Sequence, residues 1–339
     1  MKDLAAPVML SGVCVTPGTF ELQPRPMPAA PDGWVLVDIA AVGLCGTDYH
    51  ILEGSHPFLA YPRVIGHELG GVVAASAQGW TAGQVVVINP YLACGQCHAC
   101  TVGKPNCCAR IEVLGVHRDG GLCARIAVPA ENLYAAEGLT ALQAAMVEFL
   151  AIGAHAVRRA DLAAGNRVLV TGAGPIGLGA ALFARLAGAE VHLRDTSAAR
   201  LAQAGTLFGF GNLHLVGDDL PVDGFDVVFD ATGQAAAIEA GFAHVAHGGS
   251  YVLVSVVKGD IRFSDAEFHK REMRLIGSRN AVEQDFRTVM AALRSGQIDS
   301  AKLASEIVPL ADLPDRFPAL AQNRSALIKA LVAMPGVSS

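Results

Sequence analysis

Charged and aromatic side chains are both scarce in this chain. Of its 339 residues, 17% are charged and 6% aromatic; the net charge is −6 and like charges form no long run. Without a basic run, nucleic acid is not the expected partner. The N-terminus offers Lys2 but then Asp3, and Pro7, Ser11 and Pro17 break the stretch that follows, so it does not read as a signal peptide. The uncharged stretch from Val168 to Ala184 contains Thr171, Pro175 and several glycines, and reads as strand, turn and helix rather than a membrane span. Low-complexity segments and repeat arrays are also missing. A soluble, cytoplasmic protein is expected. Apolar residues are plentiful at 52%, and a chain of this length can form two domains with aliphatic, Ala-rich cores.

Four of the eight cysteines lie at positions 94, 97, 100 and 108. Thiols two residues apart can face one small centre, and four thiolates close a tetrahedral Zn²⁺ shell with no open position. Cys94, Cys97, Cys100 and Cys108 are therefore expected to hold a structural zinc. Disulfides fit poorly in a chain with no mark of secretion. Cys14 and Cys123 belong to no motif and read as core.

The first ~150 residues carry short β-branched runs between turn residues, such as Val35–Ile39 and Val85–Ile88, and should be mostly β with loops. From about Ala151 the texture changes. Strands are expected at Arg167–Thr171, Glu190–Asp195, Phe225–Asp230 and Ser250–Ser255. Helices are expected through Ala187, over Ala198–Leu207 and over Ala235–Val245. This alternation implies a parallel, doubly wound sheet. Within it, Gly172-Ala-Gly174-Pro175-Ile176-Gly177 follows a strand and opens a helix, the context a dinucleotide fingerprint requires. The glycines allow a tight turn and close approach of a pyrophosphate, which meets the helix N-terminus. Asp195, at the end of the next strand, can accept hydrogen bonds from both adenosine ribose hydroxyls and would repel a 2′-phosphate, which favours NAD. Arg194 and Arg200 are the counterweight, because a guanidinium can hold that phosphate. Ser255 and Arg279 complete the candidate cofactor contacts.

Upstream, Cys45 in Gly43-Leu-Cys45-Gly-Thr47-Asp48-Tyr-His50 and His67-Glu68 in Gly66–Gly71 offer one thiolate, one imidazole and one carboxylate. Mixed ligands from separate segments can leave a position open for substrate.

With the four-cysteine run, the glycine fingerprint and the segment Val147-Glu148-Phe149 through His155, these motifs run in one order along nearly the whole chain. In that order the chain resembles the zinc-dependent medium-chain alcohol/polyol dehydrogenases. The resemblance implies a GroES-like β catalytic domain from residues 1–150 and 292–339, with a Rossmann NAD-binding domain over 151–291 and the active site in the cleft between them. It implies a catalytic Zn²⁺ on Cys45, His67 and a carboxylate, which is Glu68, Glu148 or both in exchange. The metal lowers the pKa of a bound hydroxyl, and hydride leaves the alcohol carbon for the nicotinamide. Thr47 is placed to take the proton and His50 to pass it to water. Asp48 would orient the ring of His67. A homodimer or homotetramer is expected from the resemblance alone. Two departures stand out. Phe149 replaces the proline usual after the Glu148 position, and Cys107 lies beside Cys108, where the family register selects Cys108.

Glu53–Arg63 and Gly277–Asn280 resemble the branch that oxidises sugar acids and polyols, and His56, Arg118 and Arg279 are polar groups for hydroxyls or a carboxylate. The expected reaction converts a secondary alcohol of a polyol or sugar acid to the ketone with NAD. L-threonine is the competing substrate, since Cys-Gly-Thr-Asp-x-His also occurs in threonine 3-dehydrogenases. An NAD-binding protein with structural zinc only and no catalysis is the alternative of a different class.

Overall fold

The computed structural model describes residues 7–56 and 59–336; Lys2, Asp3 and Phe58 lie outside them. The chain forms two compact units, Met1–Glu148 with Met290–Ser339, and Phe149–Val289. Among the described residues no helix is long and apolar enough to cross a membrane.

The first unit is β-rich. Its main sheet runs Leu133–Ala135, Val85–Ile88, Glu68–Val73, Trp34–Leu44, Lys329–Ala333, Ala304–Pro309, and Arg125–Pro129 pairs with the first half of Trp34–Leu44. That long strand shows why the sequence folds so. Its first half alternates buried and half-exposed residues, which suits a sheet with one wetted face. From Ile39 onward every residue is buried. The strand therefore delivers its C-terminal end, Gly43-Leu44, into the interior.

The second unit is α/β. Its six-stranded parallel sheet runs Asn212–Leu215, Glu190–Asp195, Arg167–Thr171, Phe225–Asp230, Val245–Leu253, Arg274–Gly277. The central strand carries Val168, Leu169 and Val170, all fully buried, as a strand covered on both faces requires. Two elements differ from the sequence expectation. The helix expected over Ala235–Val245 ends at Gly241, and Val245 already opens the next strand. Tyr251 packs against this end: its hydroxyl donates to the Ile238 carbonyl at 3.0 Å and leaves no room for a side chain at Gly241, where a Cβ would sit 2.1 Å from it. Ser255 lies beyond its expected strand, which ends at Leu253.

A buried charged network ties two helices of this unit. Asp285 accepts from Arg158 Nε at 2.6 Å and from the Val282 amide at 2.9 Å, and lies 2.7 Å from His155 Nδ1. Burial alone would raise the Asp285 pKa, but the hydrogen bonds from His155, Arg158 and Val282 outweigh it and hold the pKa below its usual value. A carboxylate depressed in the folded state stabilises above the unfolded-chain pKa of about 4, and that contribution is lost as pH falls below it. Denaturation at a series of pH values should show stability falling on the acid side, with a shallower acid-side slope in Asp285→Asn. Equal slopes would exclude this role.

Candidate active site and metal centres

Three strand ends converge in the first unit. Cys45 follows Leu44 and caps the helix Gly46–Leu52. Glu68 opens its strand directly opposite Gly43, and Lys329 opens the C-terminal strand, where Ala330 faces Leu44. Cys45, His67 and Glu68 each offer a ligand atom within 4.8 Å of the others. Gly43 makes the space, since a Cβ there would lie 2.1 Å from Glu68 Oε2.

The environment of Glu68 is asymmetric. Its Oε1 accepts from Lys329 Nζ at 2.7 Å, whereas its Oε2 is buried with no hydrogen-bond partner. His67 Nδ1 is likewise buried and unpartnered. A thiolate, an imidazole and a carboxylate with an uncommitted buried oxygen suit one zinc ion at about 2.0–2.3 Å from each ligand. Burial disfavours the charged form of His67, but Asp48, Cys45 and Glu148 outweigh it and raise its pKa well above the usual range.

Asp48 is fully buried. It lies 3.8 Å from His67 Nδ1, an ion-pair distance too long for the ring hydrogen bond expected from the sequence. Its oxygens instead accept from the backbone amides of Cys45 at 2.9 Å and Gly66 at 3.2 Å. Asp48 thus joins the two segments that carry Cys45 and His67. Burial raises its pKa, against the pull of His67 and these amides. Thr47 and His50 lie three residues apart on the helix, so they share a face. Thr47 is half-buried and His50 exposed, its Nδ1 3.1 Å from Ser55 Oγ and 3.4 Å from Glu53.

Glu148 is outside the converging trio. It sits in the first turn of the helix Val147–Arg159, followed by the fully buried Phe149. Its Oε1 accepts from the Tyr91 hydroxyl. Burial first and then Glu68 push the Glu148 pKa up to about 7, against His67, Tyr91 and Lys329. No motif in the sequence marks Lys329 or Tyr91. A lone lysine opening the apolar run Lys329-Ala-Leu-Val was the available signal for the first.

The four-cysteine lobe lies on the same unit, closed at its base by Tyr91–Leu92 pairing with Glu112–Val113. The thiols of Cys94, Cys97, Cys100 and Cys108 lie within 4.8 Å of one another, with Cys97 and Cys100 sulfurs 3.6 Å apart. Sulfurs around a tetrahedral Zn²⁺ at ~2.3 Å are separated by about 3.8 Å, so the four residues fit the ion. Cys108 Sγ accepts from the amides of Cys94 and Arg110, each at 3.3 Å. Amides of Gln96 and Cys97, then Arg110, lower the Cys94 pKa to about 5, which favours a thiolate ligand. Cys107 is exposed and outside the cluster. Cys97→Ala is expected to lose this metal and about 4 kcal/mol of stability, the range of a lost metal site, while the second unit keeps its NAD affinity. Unchanged thermal unfolding and metal content would refute the assignment.

In the second unit Gly172 takes φ +96° and Gly174 caps the helix Pro175–Leu186, with Pro175 in its first turn. A Cβ on Gly177 would lie 1.7 Å from the Gly172 carbonyl oxygen, so helix and strand meet at backbone distance. Ile176 follows Pro175 in that first turn. Asp195 is buried and accepts from the amides of Ala173 at 2.7 Å and Ser197 at 2.8 Å. Arg200 lies 3.9 Å from it and reaches beside Gly174. Arg194, the residue before Asp195 in the strand, points to the other face and lies 3.0 Å from His244 Nε2, which removes it from the Asp195 side. Ser255 Oγ accepts from the Gly233 amide at 2.8 Å and donates to Asp230 at 3.1 Å, so its hydroxyl ties two loops at the sheet's carboxyl end. Arg279 is exposed just past Arg274–Gly277, and His56 is half-buried. Arg118 pairs with Glu112 at 3.3 Å and lies over the Trp34 ring. It borders a cavity of about 640 Å³ that also touches Arg25 and Arg125 but none of Cys45, His67 and Glu68.

The family pattern of the alcohol dehydrogenase GroES-like domain matches residues 31–138, and that of the zinc-binding dehydrogenase matches residues 175–295. Over 336 residues the chain is 40% identical to L-galactonate-5-dehydrogenase of Escherichia coli (strain K12), covering 94% of this chain and 97% of that one. The crystal structure of L-idonate 5-dehydrogenase from Escherichia coli K-12 is 27% identical, with a TM-score of 0.88 over 96% of this chain and 98% of that one. A short chain alcohol dehydrogenase from E. coli CFT073, complexed with the cofactor NADH, is 26% identical, with a TM-score of 0.87 over 96% and 99%.

Proposed function

This chain belongs to the zinc-binding alcohol dehydrogenase family, and on that premise we propose that it oxidises a secondary alcohol of a sugar acid or polyol to the ketone, with NAD accepting the hydride. The observation that carries the reading is the convergence of Cys45, His67 and Glu68 around one point, with a buried Glu68 oxygen left uncommitted. The similarity to L-galactonate-5-dehydrogenase supports the substrate class.

Zinc held by Cys45, His67 and Glu68 would supply a Lewis acid that makes a hydroxyl acidic near neutral pH. Thr47 Oγ1 accepts the proton of the substrate hydroxyl while its own hydroxyl proton passes on. The exposed His50 imidazole, on the same helix face, receives it and returns it to water. Asp48 keeps the Cys45 and His67 segments in register through its two amide contacts. In the second unit, the amide-lined turn at Gly172–Gly177 holds the pyrophosphate and Asp195 the adenosine ribose. Arg194 is committed to His244, and this supports NAD over NADP. The eight thiols suit a reducing, cytoplasmic setting. A homodimer or homotetramer is taken from the family resemblance.

The test is a turnover panel of aldonates, polyols and L-threonine with NAD⁺ and with NADP⁺, alongside metal analysis. Oxidation of an aldonate or polyol with NAD⁺ and two zinc ions per chain are expected. Activity on threonine alone would replace the substrate class. One zinc per chain and no turnover would make this a binding protein.

A further inference from the structure

Two buried carboxylates stand beside Cys45 and His67, and the structure separates them by what holds each one. Glu68 has one oxygen on Lys329 and the other without a partner. Glu148 is 4% exposed, and its Oε1 takes the hydroxyl of Tyr91, itself 7% exposed. Glu148 is near enough to interact electrostatically with both His67 and Glu68, yet it contributes no atom to the converging trio.

We propose that Tyr91 is a positioning residue that holds Glu148 off the catalytic metal, so that Glu68 alone supplies the carboxylate ligand. The inference rests on the zinc-dehydrogenase reading of that site.

The backbone around Tyr91 is built to keep its ring in place. Its amide donates to Asn89 Oδ1 at 3.1 Å, and the Asn132 side chain donates to the carbonyls of Asn89 at 2.9 Å and Tyr91 at 3.1 Å. Asn132 is itself buried. Tyr91 pairs with Val113 across the ribbon that closes the four-cysteine lobe, and Cys94 follows three residues later. The hydroxyl therefore arrives at Glu148 from a doubly anchored strand rather than a free loop. A buried carboxylate that loses its donor must take up a proton or find another partner, because the interior does not replace its lost hydration. Removing the phenol oxygen puts Glu148 in that position. A divalent cation held by Cys45, His67 and Glu68, with a position open to substrate, would be the strongest such partner. Phenylalanine at position 91 keeps the ring and its packing and deletes only the donor.

The test uses the full-length protein with Co²⁺ in the catalytic site and zinc retained in the cysteine lobe. Y91F is expected to weaken the visible d–d bands as Glu148 joins the coordination shell. It should also slow the release of cobalt to a chelator by about tenfold, within the range that groups hydrogen-bonded to ligands impose on metal affinity. In Y91F/E148Q, which no longer offers a carboxylate, both spectrum and release rate should return to those of the unaltered protein. NAD affinity, read by fluorescence, should stay unchanged in both variants and reports that they fold. A Y91F protein with the unaltered cobalt spectrum and release rate overturns the role of Tyr91 and leaves the zinc site standing. So does a changed spectrum that E148Q fails to reverse. An unaltered protein that takes no cobalt at Cys45, His67 and Glu68 overturns the reading of the site, and the proposal with it.

Discussion

Cys45→Ala is expected to abolish turnover while leaving NAD binding intact. Cys45 is the one thiolate of the trio and stands where a buried strand becomes a short helix. Its loss leaves His67 and Glu68 to hold the ion, too few for an inner shell that must also keep its geometry. Losing Lewis-acid stabilisation of several kcal/mol lowers kcat/KM by roughly 10³-fold or more. The glycine turn and Asp195 belong to the other unit, so NAD affinity measured by fluorescence titration should change by less than about twofold, as for independent sites. Metal analysis should show the loss of one zinc, with the lobe's ion retained. Turnover within tenfold of the unaltered protein would remove Cys45 from the chemistry. Loss of NAD binding together with activity would mean that the variant is merely misfolded.

The second large effect is on stability. Lys329 is 2% exposed and its ammonium lies 2.7 Å from Glu68 and 3.2 Å from the Leu44 carbonyl. Burial works against its charge, but Glu68, then Cys45 and Glu148, more than compensate and raise its pKa. Lys329→Met fills the same volume and leaves a carboxylate buried without its cation. Breaking a buried pair in this way costs about 3–5 kcal/mol. Thermal unfolding of the metal-free protein should shift down by on the order of 10 °C for a unit of this size. Metal should offset part of the loss by restoring positive charge beside Glu68. Lys329→Met/Glu68→Gln should recover stability, since neither charge remains to be buried. A single variant as stable as the unaltered protein, or a double variant no better than the single, would show that the pair contributes nothing.

The parts of this protein written in local pattern were legible. Val168-Leu-Val170 declared a strand covered on both faces, and the glycines after it declared a backbone turn, because each depends on neighbours within a few residues. The cysteine lobe was legible for the same reason: four thiols in one loop can meet without help from the rest of the chain. The helix Gly46–Leu52 leaves no periodic signal in the sequence, since seven residues are too few to show a period. The packing of the Tyr251 hydroxyl against Gly241, where the helix ends, is a contact that local pattern does not contain.

Alone, the sequence determined the two-part organisation, the zinc lobe, the dinucleotide turn and the candidate ligands Cys45, His67, Glu68 and Glu148. Only the tertiary structure gives the last two different surroundings. Glu68 faces Gly43 across a strand pair, where the absent Cβ leaves room for its carboxylate. Its partner Lys329 arrives from the far end of the chain, and the donor to Glu148 arrives from the base of the cysteine lobe. Carboxylates of the same chemistry are told apart by which buried donor reaches each of them. That depends on packing between segments 261 and 57 residues apart, which no local pattern encodes.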